Sequence, residues 1–521
     1  MSSTGALIQR RRELHRIIAL AIEELYADRL AEQYEMLAYH FGKAEEWGRA
    51  FDYLLKAADK SAQTFANREA VGLLDQALEA AEHLGDSVSV ETRMSIHESR
   101  SGMFFILSDF ARSHAEAARL LELARRAGDP VKEAAALAGM GFASLWAHDF
   151  EHALAESREA IDVGTRAEAK PVLAAGHFTT GFVLAVTARL DEAQHEMDQT
   201  LTFSRAADDK VHEAFGLGMS ALLKNWEGRY GEAERLAADG LRVSRDSGVV
   251  LPLYWNFFIN TVVLGGKGEY EAALAAGHNG LALCEKIGDE VMYQRELNCL
   301  GWLWSELGEL ALAFDYNRRC ADGARKRGDP ETTANAEINL ADIAIAQGDL
   351  PLAAEILDGV HRLVTNPATS DWMKWRYSTH LFASLADLCL ARGDDRKALR
   401  WADECLEIAT RTRARKNLVK GWRARGEIAT RQRRWDDAER ALREALTVAL
   451  AVDNPGQLWR THAALARLRE AQRQPKEARA AYTAALAVVD RIRAGLTTPE
   501  TRAALDRAAF VKNLTERVQD A

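Results

Sequence analysis

Proline is scarce in this chain: nine residues in 521, well below the ~5% usual for globular proteins. That excludes collagen-like and Pro-rich classes and argues against an all-β chain full of tight turns. Cysteine is scarcer still. Cys284, Cys299, Cys320, Cys389 and Cys405 are odd in number and none has CxxC spacing. Neither a disulfide framework nor a zinc framework is expected, and reduced thiols in a cytoplasmic protein are. The first sixteen residues, MSSTGALIQRRRELHR, lack the apolar run of a signal peptide. Residues 247–266 carry no charge and are long enough to span a bilayer. They contain Pro252, Asn256 and Asn260 and keep the register described below, so they read as part of a soluble array.

The motifs of common enzymes are also missing. No GxxxxGK[ST] phosphate loop occurs; Gly265-Gly266-Lys267-Gly268 has neither the spacing nor the Ser/Thr. Gly139-x-Gly141 and Gly216-x-Gly218 lack the third glycine of a dinucleotide fingerprint and lie in helical segments. There is no GxSxG elbow. His148 and His152 fall at a turn with no third metal ligand nearby. Acidic pairs such as Asp191-Glu192 and Asp436-Asp437 open helices, where they complement the helix dipole. No catalytic residue, cofactor or metal is therefore expected.

What is abundant is Ala, Leu, Glu and Arg. Hydrophobic residues make up 48% and charged residues 28%, enough for a large core and favourable to helices. The net charge of −10 is unevenly spread: residues 391–521 hold 28 Lys/Arg against 18 Asp/Glu, and the remainder 39 against 59. The two parts should attract different partners.

One unit is copied along the chain. Taking the alanine that closes HDFEHA, ARLDEA, EGRYGEA and their equivalents as anchor, Ala153, Ala193, Ala233, Ala273, Ala313 and Ala353 are 40 residues apart. After a gap of 45 the series resumes at Ala398, Ala438 and Ala478; Ser113 extends it backwards, and Ala50 stands 63 residues before that. Five positions before the anchor comes Gly228, Gly268, Gly308, Gly348 or Gly393, suited to a turn between helices. Twelve before it comes a small residue such as Gly141, Gly181, Gly301 or Gly426, which lets two helices approach closely. Apolar residues between these marks recur at i, i+3, i+4 and i+7. Each unit reads as helix, turn, helix, and such a pair must stack on its neighbours to bury its apolar face.

This pattern resembles the tetratricopeptide repeat over about 46–490. The resemblance implies an all-α fold: a right-handed superhelical α-solenoid of about eleven helix-turn-helix repeats, mostly 40 residues long instead of the usual 34. Residues 1–45 would form an N-terminal helical cap and 46–365 one sub-stack. Residues 366–498 would form a basic second sub-stack, and 499–521 a capping helix. Residues 10–81, with Arg11-Arg12-x-Leu14-His15 and Tyr26–Tyr34, also resemble a specific junction. It is the segment that follows the ATPase module in bacterial class III adenylate/guanylate cyclase-like proteins and AAA-ATPase-type transcriptional regulators. The enzymatic modules of that family do not lie in this chain, so their activity does not carry over.

In the repeat family, positions 18, 15, 11, 8 and 7 before each anchor line the concave face. Here they give an aromatic stretch with Phe142, Trp146, Phe178, Phe182, Phe215, Asn225, Trp226, Trp255 and Phe258. A mixed stretch follows with Arg295, Asn298, Trp302, Asn335 and Asp342. Lys420, Arg423 and Arg431 make its basic end. Such a groove suits a protein or peptide with apolar anchors and acidic residues. The expectation is a non-enzymatic cytoplasmic scaffold in bacterial signal transduction or regulation, with nucleic acid and membrane not among its partners. The alternative is a small-molecule-sensing region of an ATPase/cyclase-type signalling protein.

Overall fold

A computed structural model describes residues 3–366 and 369–520, and among these every regular element is helical. Helices α1 (Ser3–Leu25) and α2 (Tyr34–Lys43) precede eleven consecutive pairs. These are α3/α4 (Trp47–Gln63, Asn67–Leu84), α5/α6 (Val90–Ile106, Phe110–Ala127), α7/α8 (Pro130–Trp146, Phe150–Arg166) and α9/α10 (Lys170–Val186, Leu190–Ala206). Then come α11/α12 (Lys210–Trp226, Tyr230–Ser247), α13/α14 (Val250–Lys267, Tyr270–Ile287), α15/α16 (Glu290–Glu306, Leu310–Arg327) and α17/α18 (Pro330–Gln347, Leu350–Val364). The last are α19/α20 (Ser378–Arg392, Asp395–Arg411), α21/α22 (Arg415–Arg431, Trp435–Val452) and α23/α24 (Pro455–Ala471, Pro475–Gly495), followed by α25 (Pro499–Arg507) and α26 (Ala509–Asp520). A tetratricopeptide-like α-solenoid of eleven pairs, as the spacing predicts, is what the described residues form.

The repeat columns explain the pairing. Every anchor alanine from Ala153 to Ala478 is fully buried. The small residue twelve before it lies against the anchor's turn: a Cβ on Gly141 would stand 3.2 Å from the Ala153 carbonyl, and one on Gly181 3.2 Å from that of Ala193. The two helices of a pair thus touch backbone to backbone. Second helices begin on caps such as Asp109, Asp149, Asp349 and Asp394, whose carboxylates accept from a backbone N–H in the first turn. The uncharged stretch 247–266 becomes the first helix of a pair, α13, and no helix among the described residues is long and apolar enough to cross a membrane.

The chain forms two compact units. One runs to Thr179 and takes in residues 285–290; the other comprises residues 180–284 and the chain from Val291 onward. In the first, Leu37, Phe41, Leu54 and Leu74 form one core and Leu120, Leu137 and Val163 another. The Asn67 amide donates to the Ile287 carbonyl at 3.3 Å, and the Ser108 hydroxyl bonds Asp289 at 3.2 Å.

The second unit has a core shared by distant repeats: Tyr270, Leu303 and Ile343 pack in one cluster with Val419, Trp459, Val489 and Leu505. Polar bonds follow the same course. The Trp375 indole donates to the Val186 carbonyl at 2.8 Å, Asn454 to the Gly266 carbonyl at 2.5 Å, and the Thr501 hydroxyl to Glu271 at 2.7 Å. These partners are 189, 188 and 230 residues apart, about five repeats, so within this unit one stretch of the array seats on another.

Candidate functional site

The first helices of the second unit bring the mixed stretch of expected inward positions together with Lys420 and Arg423. On α15 and α17, the Asn335 amide donates to Asn298 at 2.6 Å, and Asn298 donates to Asn317 at 3.1 Å. Trp302 is half-buried and its indole reaches Glu306 at 3.4 Å. Arg460, from α23, donates to the other Glu306 oxygen at 2.9 Å. Lys416, at the start of α21, lies 4.7 Å above the Trp302 ring, a cation–π contact. Asp342 accepts from the His380 imidazole at 2.9 Å, and Arg423 donates to Gln457 at 2.8 Å. Arg295 faces Glu331 at 3.9 Å.

Burial and neighbouring charge set the protonation states. Burial, reinforced by Lys420, pushes the His380 imidazole down to about 4 despite its bond to Asp342, so at neutral pH it is uncharged. Burial lifts Asp387 to about 6. Burial also opposes the Glu306 charge, but Arg460 and Lys416 outweigh it and hold the carboxyl below its ordinary range. Lys416 is pushed down to about 8, first by burial and then by the nearby Lys420, Arg376 and Arg460. Among the described residues Arg376, Lys416 and Lys420 form no direct ion pair, whereas Arg460 and Arg467 do.

The aromatic positions divide. In the first unit Phe142 stacks on Phe105 at 4.6 Å, with Trp146 and Phe178 at its edges, a ladder running from repeat to repeat. In the second unit Trp255 lies between Phe182 and Phe258 at 5.7 and 5.9 Å, and Phe215 is buried. Trp226 packs against Trp372 at 5.0 Å and Trp375 at 6.0 Å and is only 9% exposed. Asn225, half-buried, lies beside Gly266. Arg431 stands apart on the surface, donating to the Leu390 carbonyl at 2.6 Å and pairing with Asp395 at 3.2 Å.

Sequence spacing does not locate Arg376 or Lys416. Glu306 and His380 sit seven and eighteen positions before an anchor and so carried a legible signal. Arg376 lies in the π-helical turn Met373–Tyr377, inside the 45-residue gap where the register breaks, and no column locates it. A separate pocket of about 260 Å³, lined by Asp191, His195, Lys224, Glu227 and Arg413, is crossed by its own ion pairs, Arg413 to Asp191 at 2.5 Å and to Glu227 at 3.8 Å. Its charges are satisfied internally.

The class is that of tetratricopeptide-like solenoids. No family model matches the chain, and no curated protein does. Among solved structures, the APC/C hetero-tetramer Cut9–Hcn1 aligns over 97% of both chains at 15% identity with a TM-score of 0.50. A Rap protein complexed with Competence and Sporulation Factor aligns over 67% of this chain and 98% of that one, at 11% identity and a TM-score of 0.44. A STAND protein with a tetratricopeptide repeat sensor, PH0952 from Pyrococcus horikoshii, aligns over 70% of this chain and 52% of its own at 15% identity, TM-score 0.43.

Proposed function

We propose that the chain is a non-enzymatic scaffold that binds a protein or peptide through the charged interior of its second unit, in bacterial signalling or regulation in the cytoplasm. The observation that carries this reading is the set of cations at Arg376, Lys416 and Lys420. Lys416 lies over Trp302 and within the field of Lys420 and Arg376, and Arg376 follows the buried Trp372 and Trp375 in the π-helical turn; among the described residues none of the three forms a direct ion pair. Half-buried cations cost desolvation energy that an acidic partner offsets. The partner therefore presents carboxylates beside an apolar anchor. A hetero-complex built on the same fold, Cut9–Hcn1, supports a scaffold role.

The test uses partner captured by the wild-type chain and titrated calorimetrically against Lys416→Gln/Lys420→Gln. Removing two interfacial cations should weaken binding by about tenfold or more, and the wild-type affinity should fall as pH rises through about 8, where Lys416 loses its proton. Unchanged affinity in the double variant sinks the assignment. A thermal shift with a small anionic metabolite, absent from the double variant and unaccompanied by protein capture, would favour the sensing reading instead.

A further inference from the structure

Helix α1 packs by one side only. Ala19 is fully buried and Ile22 joins the core of α2 and α3. The His15 and His40 rings meet at 2.8 Å, and Glu23 accepts from Tyr53 at 2.5 Å and pairs with Arg49. The neighbouring side is apolar and uncovered: Leu7, Leu14, Ile17, Ile18 and Leu25 are 67, 52, 51, 42 and 77% exposed. Of thirteen large hydrophobics exposed among the described residues, seven lie on this helix. At about 100° per residue, Leu7, Leu14, Ile18 and Leu25 fall on a single stripe. An apolar stripe this long marks an interaction surface.

Its register says what covers it. The stripe reads the same in both directions: 7 with 25 and 14 with 18 have the same midpoint. A second α1 laid antiparallel would seat Leu7 on Leu25 and Leu14 on Ile18, about 27 Å of continuous contact. The flank agrees. Arg10, Ile17 and Glu24 are seven apart and share a midpoint one residue further on, so the same pairing brings Arg10 within about 3 Å, along the axis, of the level of Glu24 twice, and flanks the two-fold axis with the two Ile17 side chains. A parallel pair would oppose Arg10 to Arg10 and Glu24 to Glu24. Among the described residues neither Arg10 nor Glu24 has an ion-pair partner within the chain. A helix lying on an anionic lipid surface would carry basic residues along its whole polar side; here Arg10, Arg11, Arg12 and Arg16 alternate with Glu13, to which Arg16 is paired, and give way to Glu23 and Glu24.

We propose that α1 is a dimerisation helix, pairing antiparallel with a second copy of this chain. The surface is independent of the charged interior of the second unit. The test is cross-linking of the full chain. The five native cysteines are buried, so an introduced thiol reports alone. With a short bismaleimide cross-linker, Ile17→Cys should give a covalent dimer and Leu7→Cys should not, because its symmetry mate would lie about 27 Å away. By sedimentation, the wild type should be dimeric at micromolar concentration. Arg10→Glu should weaken the dimer about tenfold, and Arg10→Glu/Glu24→Arg should restore it. All four substituted positions are exposed, so folding is preserved. A monomeric wild type, or equal cross-linking at both positions, overturns the proposal. So does a monomer that co-sediments with phosphatidylserine vesicles and loses this on Leu14→Glu; that result assigns the stripe to a lipid surface.

Discussion

Glu296 is buried away from water with no compensating charge beside it among the described residues. Its side chain, on α15, is fully buried over Gly280 of α14, and neither carboxyl oxygen has a hydrogen bond of normal geometry. The neighbouring Thr261 hydroxyl is committed to the Phe257 carbonyl at 2.9 Å. Burial therefore raises its pKa well above 4.5, and Thr261 offsets this only slightly. The folded state holds the proton that the unfolded state releases. Stability from this site is intact below about 4.5 and declines as pH rises towards the folded-state pKa, by about 1.4 kcal/mol per pH unit. Glu296→Gln removes that dependence. Thermal melts should show the variant close to wild type near pH 4.5 and clearly more stable at pH 8; a constant difference across that range would refute the account. Seventeen positions before its anchor, Glu296 adjoins the inward columns, and an apolar-periodicity reading places a charged residue there on a polar face. Burial came from the packing of α13 and α14, which spacing does not specify.

The turns show the same column satisfied in two ways. Five positions before the anchor, Gly228, Gly268, Gly308, Gly348 and Gly393 have positive φ, and so do Ser108, His148, Ala188, Arg433 and Arg473 in the other repeats. The left-handed residue closes the first helix by accepting the chain reversal that its last carbonyls require. Glycine was legible as a turn signal; the non-glycine repeats were legible only through their distance from the anchor alanine, because the array imposes the conformation against local preference. An L-residue there costs roughly 1–2 kcal/mol, reduced by the greater chain entropy that glycine loses on folding. Ala188→Gly, at φ 64°, should therefore stabilise by roughly 0.5–1 kcal/mol in chemical denaturation. Gly268→Ala, at φ 90° and with the Pro455 ring against its backbone, should destabilise by about 2 kcal/mol or more. Equal and opposite effects would show that φ alone matters and that the Pro455 contact adds nothing.

Repeat arrays are ordinarily held by nearest neighbours, and each pair then senses only the pairs beside it. The helices, their pairing and the inward columns of this chain follow from that local logic, which is why 40-residue spacing made them readable. The seating of distant repeats on each other within the second unit does not follow from it. Trp226 occupies an inward position by spacing, but what covers it, Trp372 and Trp375, comes from within the break in register. Asn454 is the sharpest case. Its amide donates to the Gly266 carbonyl at 2.5 Å, 188 residues earlier, while its oxygen caps α23 by accepting from Gln457 at 2.9 Å. Both groups are buried, so losing them leaves the Gly266 carbonyl without its donor at a cost of about 1–3 kcal/mol. In a nearest-neighbour array, Asn454→Ala would lower amide protection only along α21–α24. Because Gly266 ends α13 and Gly268 rests against Pro455, hydrogen exchange should also quicken in residues 264–270, between α13 and α14. If exchange in 264–270 stays at the wild-type rate while α23 frays, the two stretches are only adjacent, and the second unit folds as a simple stack.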